Sequence, residues 1–391
     1  MIDSILIAES GLSGFEQGLR TISDNTANLN TPGFKGAVEQ FSDMADGHAT
    51  SNGSSFGQPG RGLDTLGTTL NFSAGTLQST NNPLDLAING DGFFTLRDAQ
   101  GNLHYTQDGQ FKFNDAGKLV SSVTGEDVMG MDAGHALAPI SIAGLDTFAA
   151  QATSKVTFVG NLSSGATTDT VGSITVIDNA GTSHALSLTL VPDAATAGKW
   201  NLTLQDGATT VGTSSITFSN GQVVPANSTA TFTYTPAGST PVPLTFDFSA
   251  NVTSSNSGSA STLAVSAADG FAAGQLTGKS FDSTGTLVLT YSNGQTSKKS
   301  QLALGQFASS DDVIATSHNE FSAKDGTSWK VGVAGGGGFG QIQSSTIEAS
   351  NVDLSGEFSN LVIMQRGYQA CSQVVSTASD MLTALFGMMT K

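Results

Sequence analysis

The two ends of the chain carry matching apolar stripes, and nothing between them does. Ile5, Ala8, Leu12, Phe15, Leu19, Ile22 and Leu29 recur at gaps of three, four, three, four, three and seven residues. Near the other end, Cys371, Val374, Ala378, Met381, Leu385 and Met388 form one row, and Leu361, Tyr368, Val375, Leu382 and Met389 form a second. Both spacings predict amphipathic helices with coiled-coil character. Pro32 and Gly33 predict that the first helix stops near Leu29. Two helical ends around a different middle predict that the ends meet. Gly11, Gly14 and Gly18 lie inside the first helix, each weakening it by about 1 kcal/mol relative to Ala. Such a helix is expected to fray alone and to order on docking. An ordinary helical hairpin covering one side of a monomer stays open beside the assembly reading.

The middle reads as strands and turns. Leu84–Ile88 and Phe93–Leu96 flank a strong turn at Asn89-Gly90-Asp91-Gly92, which predicts a hairpin. Further turns fall at Asp108-Gly109, Asp115-Ala116-Gly117, Thr284-Gly285 and Asn293-Gly294. Residues 153–250 alternate apolar and hydroxyl side chains, as in Leu186-Ser187-Leu188-Thr189-Leu190, which predicts sheets with one wet face. Around residues 140–150 the texture changes, and Ser254–Ser261 is a low-complexity linker that serves as a return point, so this stretch reads as a β domain inserted into another one. The segment 42–62, with Pro59, reads as a loop or extended arm. The fold class is therefore mainly β, with paired N- and C-terminal helices and nested β domains.

Composition narrows the function. Charged residues make up 12% of the chain and the net charge is −17, which excludes a nucleic-acid partner for want of cations to neutralise phosphates. No run approaches the roughly 18 apolar residues of a membrane span, so no membrane insertion is expected. Residues 1–29 lack a basic stretch followed by a continuous apolar core, so no ordinary cleavable signal peptide is expected. Cys371 is the one cysteine and reads as a small buried hydrophobe. Gly335–Gly340 formally matches a phosphate-loop glycine pattern, but no helix follows, so it reads as a linker. His48, His104, His135, His184 and His318 are scattered without metal-ligand spacing. No catalytic, cofactor or metal site is expected, and the chain does not read as an enzyme.

Several spaced motifs resemble the flagellar rod and hook protein family. At the start these are Ser10-Gly11-Leu12, Asn25-Thr26-Ala27-Asn28 and Asn30-Thr31-Pro32-Gly33-Phe34-Lys35. Leu84 to Phe94 and Tyr105 to Phe111 follow in the β region. Glu348-Ala349-Ser350-Asn351-Val352-Asp353-Leu354 and Gln365-Arg366-Gly367-Tyr368-Gln369 lie near the end. The length and the inserted β domain resemble the hook members more than the shorter distal rod members. The resemblance implies a self-assembling, curved helical tube that acts as a universal joint between rod and filament. It implies a nested layout. Residues 1–29 and 358–391 would be the inner-tube helices, and 30–72 and 341–357 a connecting extended region. Residues 73–146 and 272–340 would be an inner β domain, and 147–271 the inserted outer one. On this view Leu12, Phe15, Leu19, Leu361, Val375 and Leu382 carry inner-tube packing, and Asp353 or Ser355 caps the last helix. Expected partners are further copies of the chain, the distal rod, hook cap and hook–filament junction proteins, and the flagellar export apparatus. The expected location is the extracellular flagellum, reached without a cleaved signal. A distal rod subunit is the alternative within the family. A secreted β-rich adhesin or glycan-binding module is the alternative of another class.

Overall fold

The computed structural model describes residues 2–44, 62–132, 134, 136–309, 312–324 and 329–389. Most of the arm expected at 42–62, Pro59 included, lies outside the described residues. Helix α1 spans Ile2–Ala27 and helix α2 spans Leu354–Met389, with strands between them. The fold class is the one the sequence predicts. The chain forms two compact units. One comprises Met1–Ala143, Lys279–Val288 and Lys298–Lys391, and the other Gly144–Gly278 and Leu289–Ser297.

The second unit realises the period-two pattern. Strands Asp169–Ile177, Ser183–Pro192, Lys199–Asp206 and Thr209–Ser219 form an antiparallel meander. Along Ser183–Pro192 the side chains of Leu186, Leu188 and Leu190 are fully buried, while Ser187 and Thr189 between them are not. Trp200, Leu202 and Leu204 from the next strand, with Phe158, Phe232 and Phe246, complete the core. Strand Lys155–Asn161 runs parallel to Val242–Asp247.

The first unit is built by the chain returning over itself. Leu77–Ser79 pairs with Thr346–Glu348, Leu86–Asn89 with Gln341–Ser344, and Phe93–Phe94 with Leu304–Gly305. Each pairing is antiparallel, and later outgoing residues meet earlier returning ones. This corrects the hairpin expected at Asn89–Gly92. The turn is real, with φ of 119° at Gly90 and 139° at Gly92, but its flanking strands do not pair with each other: Leu86–Asn89 pairs with the returning chain, and Phe93–Arg97 with the next outgoing strand, Leu103–Thr106, as well as with Leu304–Gly305. By contrast the turn at Asp115–Gly117 does close a hairpin, between Phe111–Phe113 and Leu119–Ser121. The Gly335–Gly338 segment is a tight connection closed by Gly335 N–H to Gly340 C=O at 3.0 Å. A strand follows it, not a helix.

An aromatic cluster fills this unit. Tyr105 stacks on Trp329 with ring centroids 3.8 Å apart. Phe72, Phe93, Phe307 and Phe321 pack edge-on or tilted against one another. Nearby, Asp108 is held at about pKa 6, because burial penalises its charge and the Asp85 carboxylate adds repulsion, against the opposing hydrogen bond from the Gln110 amide. The proton is lost from the unfolded chain near the ordinary carboxylate value and from the folded chain near 6. Stability therefore falls as pH rises through that window and stays lowered above it. Asp108→Asn is expected to stabilise the protein at pH 7 by on the order of 2–3 kcal/mol and to give no gain below pH 4. Urea unfolding at the two pH values checks this.

Candidate assembly surface

The helical ends pair antiparallel in a single register. Gly11 of α1 faces Cys371 of α2, Phe15 faces Gly367, and Gly18 faces Met364. Asn25 Nδ2 donates to Glu357 Oε1 at 2.9 Å further along. A Cβ added at Gly11 would stand 2.8 Å from Cys371 Sγ, and one at Gly367 would stand 2.5 Å from the Phe15 ring. Both are closer than packed atoms tolerate. The glycines that weaken α1 as an isolated helix are thus points of close helix approach. Gly14 instead faces a hairpin, Ala37–Asp43 with Leu63–Leu70, at Leu63 and Phe41. Strands therefore occupy part of the stretch expected to be an extended connection.

Of the residues singled out for packing, Leu12, Phe15 and Leu19 are half-buried on α1, beside buried Ala8 and Ile22. Phe15 lies between Gly367 and Phe41, the latter ring 6.4 Å away. Leu361, Val375 and Leu382 are half-buried on α2 and share its partly covered stripe with Met364, Gly367, Cys371 and Ala378. This stripe takes members from both rows seen in the sequence. Val374, Met381, Leu385 and Met388 of the first row, and Tyr368 of the second, are exposed instead. Phe358, Val362 and Ile363 are exposed too, at 55%, 54% and 61%. One side of α2 thus meets α1 and other sides present apolar groups to solvent. In the common register α1 ends opposite the region near Asp380, so α2 continues beyond it by roughly 13 Å at 1.5 Å per residue. No helix among the described residues is long and apolar enough to cross a membrane.

A polar clamp sets the register where the helices leave the strands. Lys35 and Glu348 form an ion pair at 2.8 Å with side chains 1% and 3% exposed. Lys35 Nζ also donates to Ser73 C=O at 2.9 Å, and Glu348 Oε1 accepts the Gly75 amide at 2.6 Å. Asn351 accepts from the Gly36 amide and donates to the carbonyls of Asn71 and Ser73. Asn25 accepts from the Ala37 amide and donates to its carbonyl. Asp353 Oδ1 accepts the Ser355 amide at 3.0 Å, which makes Asp353 the cap and starts α2 at Leu354. The sequence reading missed the Lys35–Glu348 pair. Its one signal was that both residues sit inside the terminal motifs.

Three family models match: the flagella basal body rod protein over residues 5–35, the flagellar hook protein FlgE/F/G D1 domain over 87–175, and the flagellar basal body rod FlgEFG protein C-terminal region over 343–388. The flagellar hook protein FlgE of Escherichia coli (strain K12) is 31% identical over 404 residues, covering 97% of this chain and 98% of that protein. That of Salmonella typhimurium is 29% identical over 409 residues, again covering 97% and 98%. The flagellar basal-body rod protein FlgG of Buchnera aphidicola matches at 36% over 132 residues, 31% of this chain and 50% of that protein. In structure, the Helicobacter pylori flagellar hook protein FlgE2 superposes with a TM-score of 0.51 at 11% identity, covering 70% of this chain and all of that one.

The clamp makes a prediction. Lys35→Met strands a buried carboxylate and is expected to cost about 3–5 kcal/mol. Adding Glu348→Gln keeps the acceptor for Gly75 and recovers part of that loss. A double-mutant cycle by urea unfolding should give a coupling above about 1 kcal/mol.

Proposed function

Starting from the fact that this chain belongs to the flagellar hook protein family, we propose how it builds the hook. It is a structural subunit of the bacterial flagellar hook, polymerising into the curved tube that joins rod to filament. The α1/α2 seam holds each subunit's ends together. The apolar sides of α2 that α1 does not cover then pack on neighbouring subunits around the tube axis. The observation that carries this is the exposure of Phe358, Val362 and Ile363, with Leu385 and Met388 toward the C-terminal end. A lone soluble chain gains nothing from such a surface, whereas burying each side chain contributes about 1.5–3 kcal/mol. A head-to-tail contact whose rotation does not close gives an open helix of subunits.

The same reading assigns the chain's layout and partners. The terminal helices, 1–29 and 358–391, form the inner tube. Residues 30–72 and 341–357 connect it to the β layers, with 73–146 and 272–340 inside and 147–271 outside. Leu12, Phe15, Leu19, Leu361, Val375 and Leu382 serve this packing by fixing the seam on which the outer α2 surface is displayed. Distal rod, hook cap and junction proteins would meet the ends of the tube, after export through the flagellar apparatus to the cell exterior. The full-length matches to hook proteins, against a rod match confined to 132 residues, favour hook over rod.

Val362→Asp with Ile363→Asp is expected to leave monomer stability within about 0.5 kcal/mol, because both side chains lie off the seam. It should abolish polymerisation, as read by sedimentation and electron microscopy. Deleting residues 1–28 should leave a soluble folded β core that forms no filaments. Filaments of normal length from either variant would overturn the proposal.

A further inference from the structure

Three side chains from distant parts of the sequence converge in the unit that holds both chain ends. His104 lies on strand Leu103–Thr106, Glu126 just precedes strand Asp127–Met131, and Glu320 opens strand Glu320–Ala323. Register places them on one face. Glu320 stands opposite Thr106, two residues from His104. Leu96 stands opposite both His104 and Val128, and Val128 is two residues from Glu126. The two carboxylates close on one ring nitrogen. His104 Nδ1 is 2.9 and 3.1 Å from the two oxygens of Glu126 and 3.4 Å from Glu320 Oε2. The Glu320 side chain is 7% exposed. Among the described residues neither carboxylate forms an ion pair with Lys or Arg. Glu320 also feels the His318 imidazole, so among the described residues the two carboxylates are faced by imidazoles and by no permanently charged side chain.

We propose that His104, Glu126 and Glu320 form a binding site for one divalent cation of the zinc class. One nitrogen and two carboxylate oxygens are a donor set that zinc accepts, with water completing the coordination. Metal–donor distances near 2.1 Å in a tetrahedron put neighbouring donors about 3.4 Å apart. The separations of 2.9–3.4 Å about Nδ1 approach this, so small side-chain shifts admit the ion. A two-plus charge balances the carboxylates while leaving the imidazole neutral. Calcium, which takes six to eight oxygens, has too few protein donors here. The ion would clip strand Glu320–Ala323 and the loop before Asp127 to strand Leu103–Thr106. Sequence spacing hides the site, because positions 104, 126 and 320 make no local motif.

The test is isothermal titration of the metal-stripped full chain with zinc sulfate at pH 7.5, alongside thermal unfolding. The expected result is one zinc bound per chain and a raised Tm. His104→Ala and Glu126→Gln, each verified as folded by circular dichroism, should weaken binding at least about tenfold, the loss seen when even an outer-sphere partner is removed. His184→Ala, which breaks a separate histidine–carboxylate pair, His184 with Asp178 at 3.1 Å, should leave binding unchanged. The proposal is overturned if the wild type binds no stoichiometric zinc. It is equally overturned if Glu126→Gln binds zinc as tightly as the wild type, or if His184→Ala removes the binding.

Discussion

The buried Lys35–Glu348 pair is the constraint on which the helical end of the molecule depends. It joins residues 313 positions apart at the point where the outgoing chain leaves α1 and the returning chain enters α2. Lys35 also donates to the Ser73 carbonyl and Glu348 accepts the Gly75 amide, while Asn351 bonds the neighbouring backbone at Gly36 and Asn71. A buried ion pair adds little net stability over an apolar pair of the same shape, but mispairing it leaves a charge stranded at a cost of several kcal/mol. Its value here is specificity. Of the registers two apolar helices can adopt, it selects the one that sets Gly11 against Cys371 and Phe15 against Gly367.

That register divides the labour of α2. The stripe from Leu361 to Leu382 is covered within the chain, and the sides bearing Val362, Ile363 and Leu385 are exposed, the surface that the proposed function gives to neighbouring subunits. The α1 glycines belong to the same economy. They weaken an isolated helix, yet Gly11 and Gly18 let α2 approach closely and Gly14 does the same for the strand pair at Leu63 and Phe41.

Periodicity made the faces legible but not their partners. The stripe on α1, the alternation along Ser183–Pro192 and the turn at Asp115–Gly117 are local signals, and the structure follows them. Asn89–Gly92 is an equally strong turn, yet its strands do not pair with each other: the first pairs with Gln341–Ser344, and the second with Leu103–Thr106 and Leu304–Gly305. A turn signal reports the bend and not the strand across the ladder. On α2 the two apolar rows were visible, but the seam draws from both, because spacing does not say which side a second helix will cover. Lys35–Glu348 and the His104 cluster are long-range contacts between polar residues, and no local pattern announces them.

On the proposed function each subunit pairs its own ends and assembles through the remaining faces of α2. A helical cryo-electron microscopy reconstruction of the polymerised full chain tests this most directly. The account predicts α1 and α2 of one subunit in contact at Phe15 and Gly367, with Val362 and Ile363 buried against neighbouring subunits. Seam contacts exchanged between different subunits, or Val362 and Ile363 facing open solvent in the assembled tube, would contradict it.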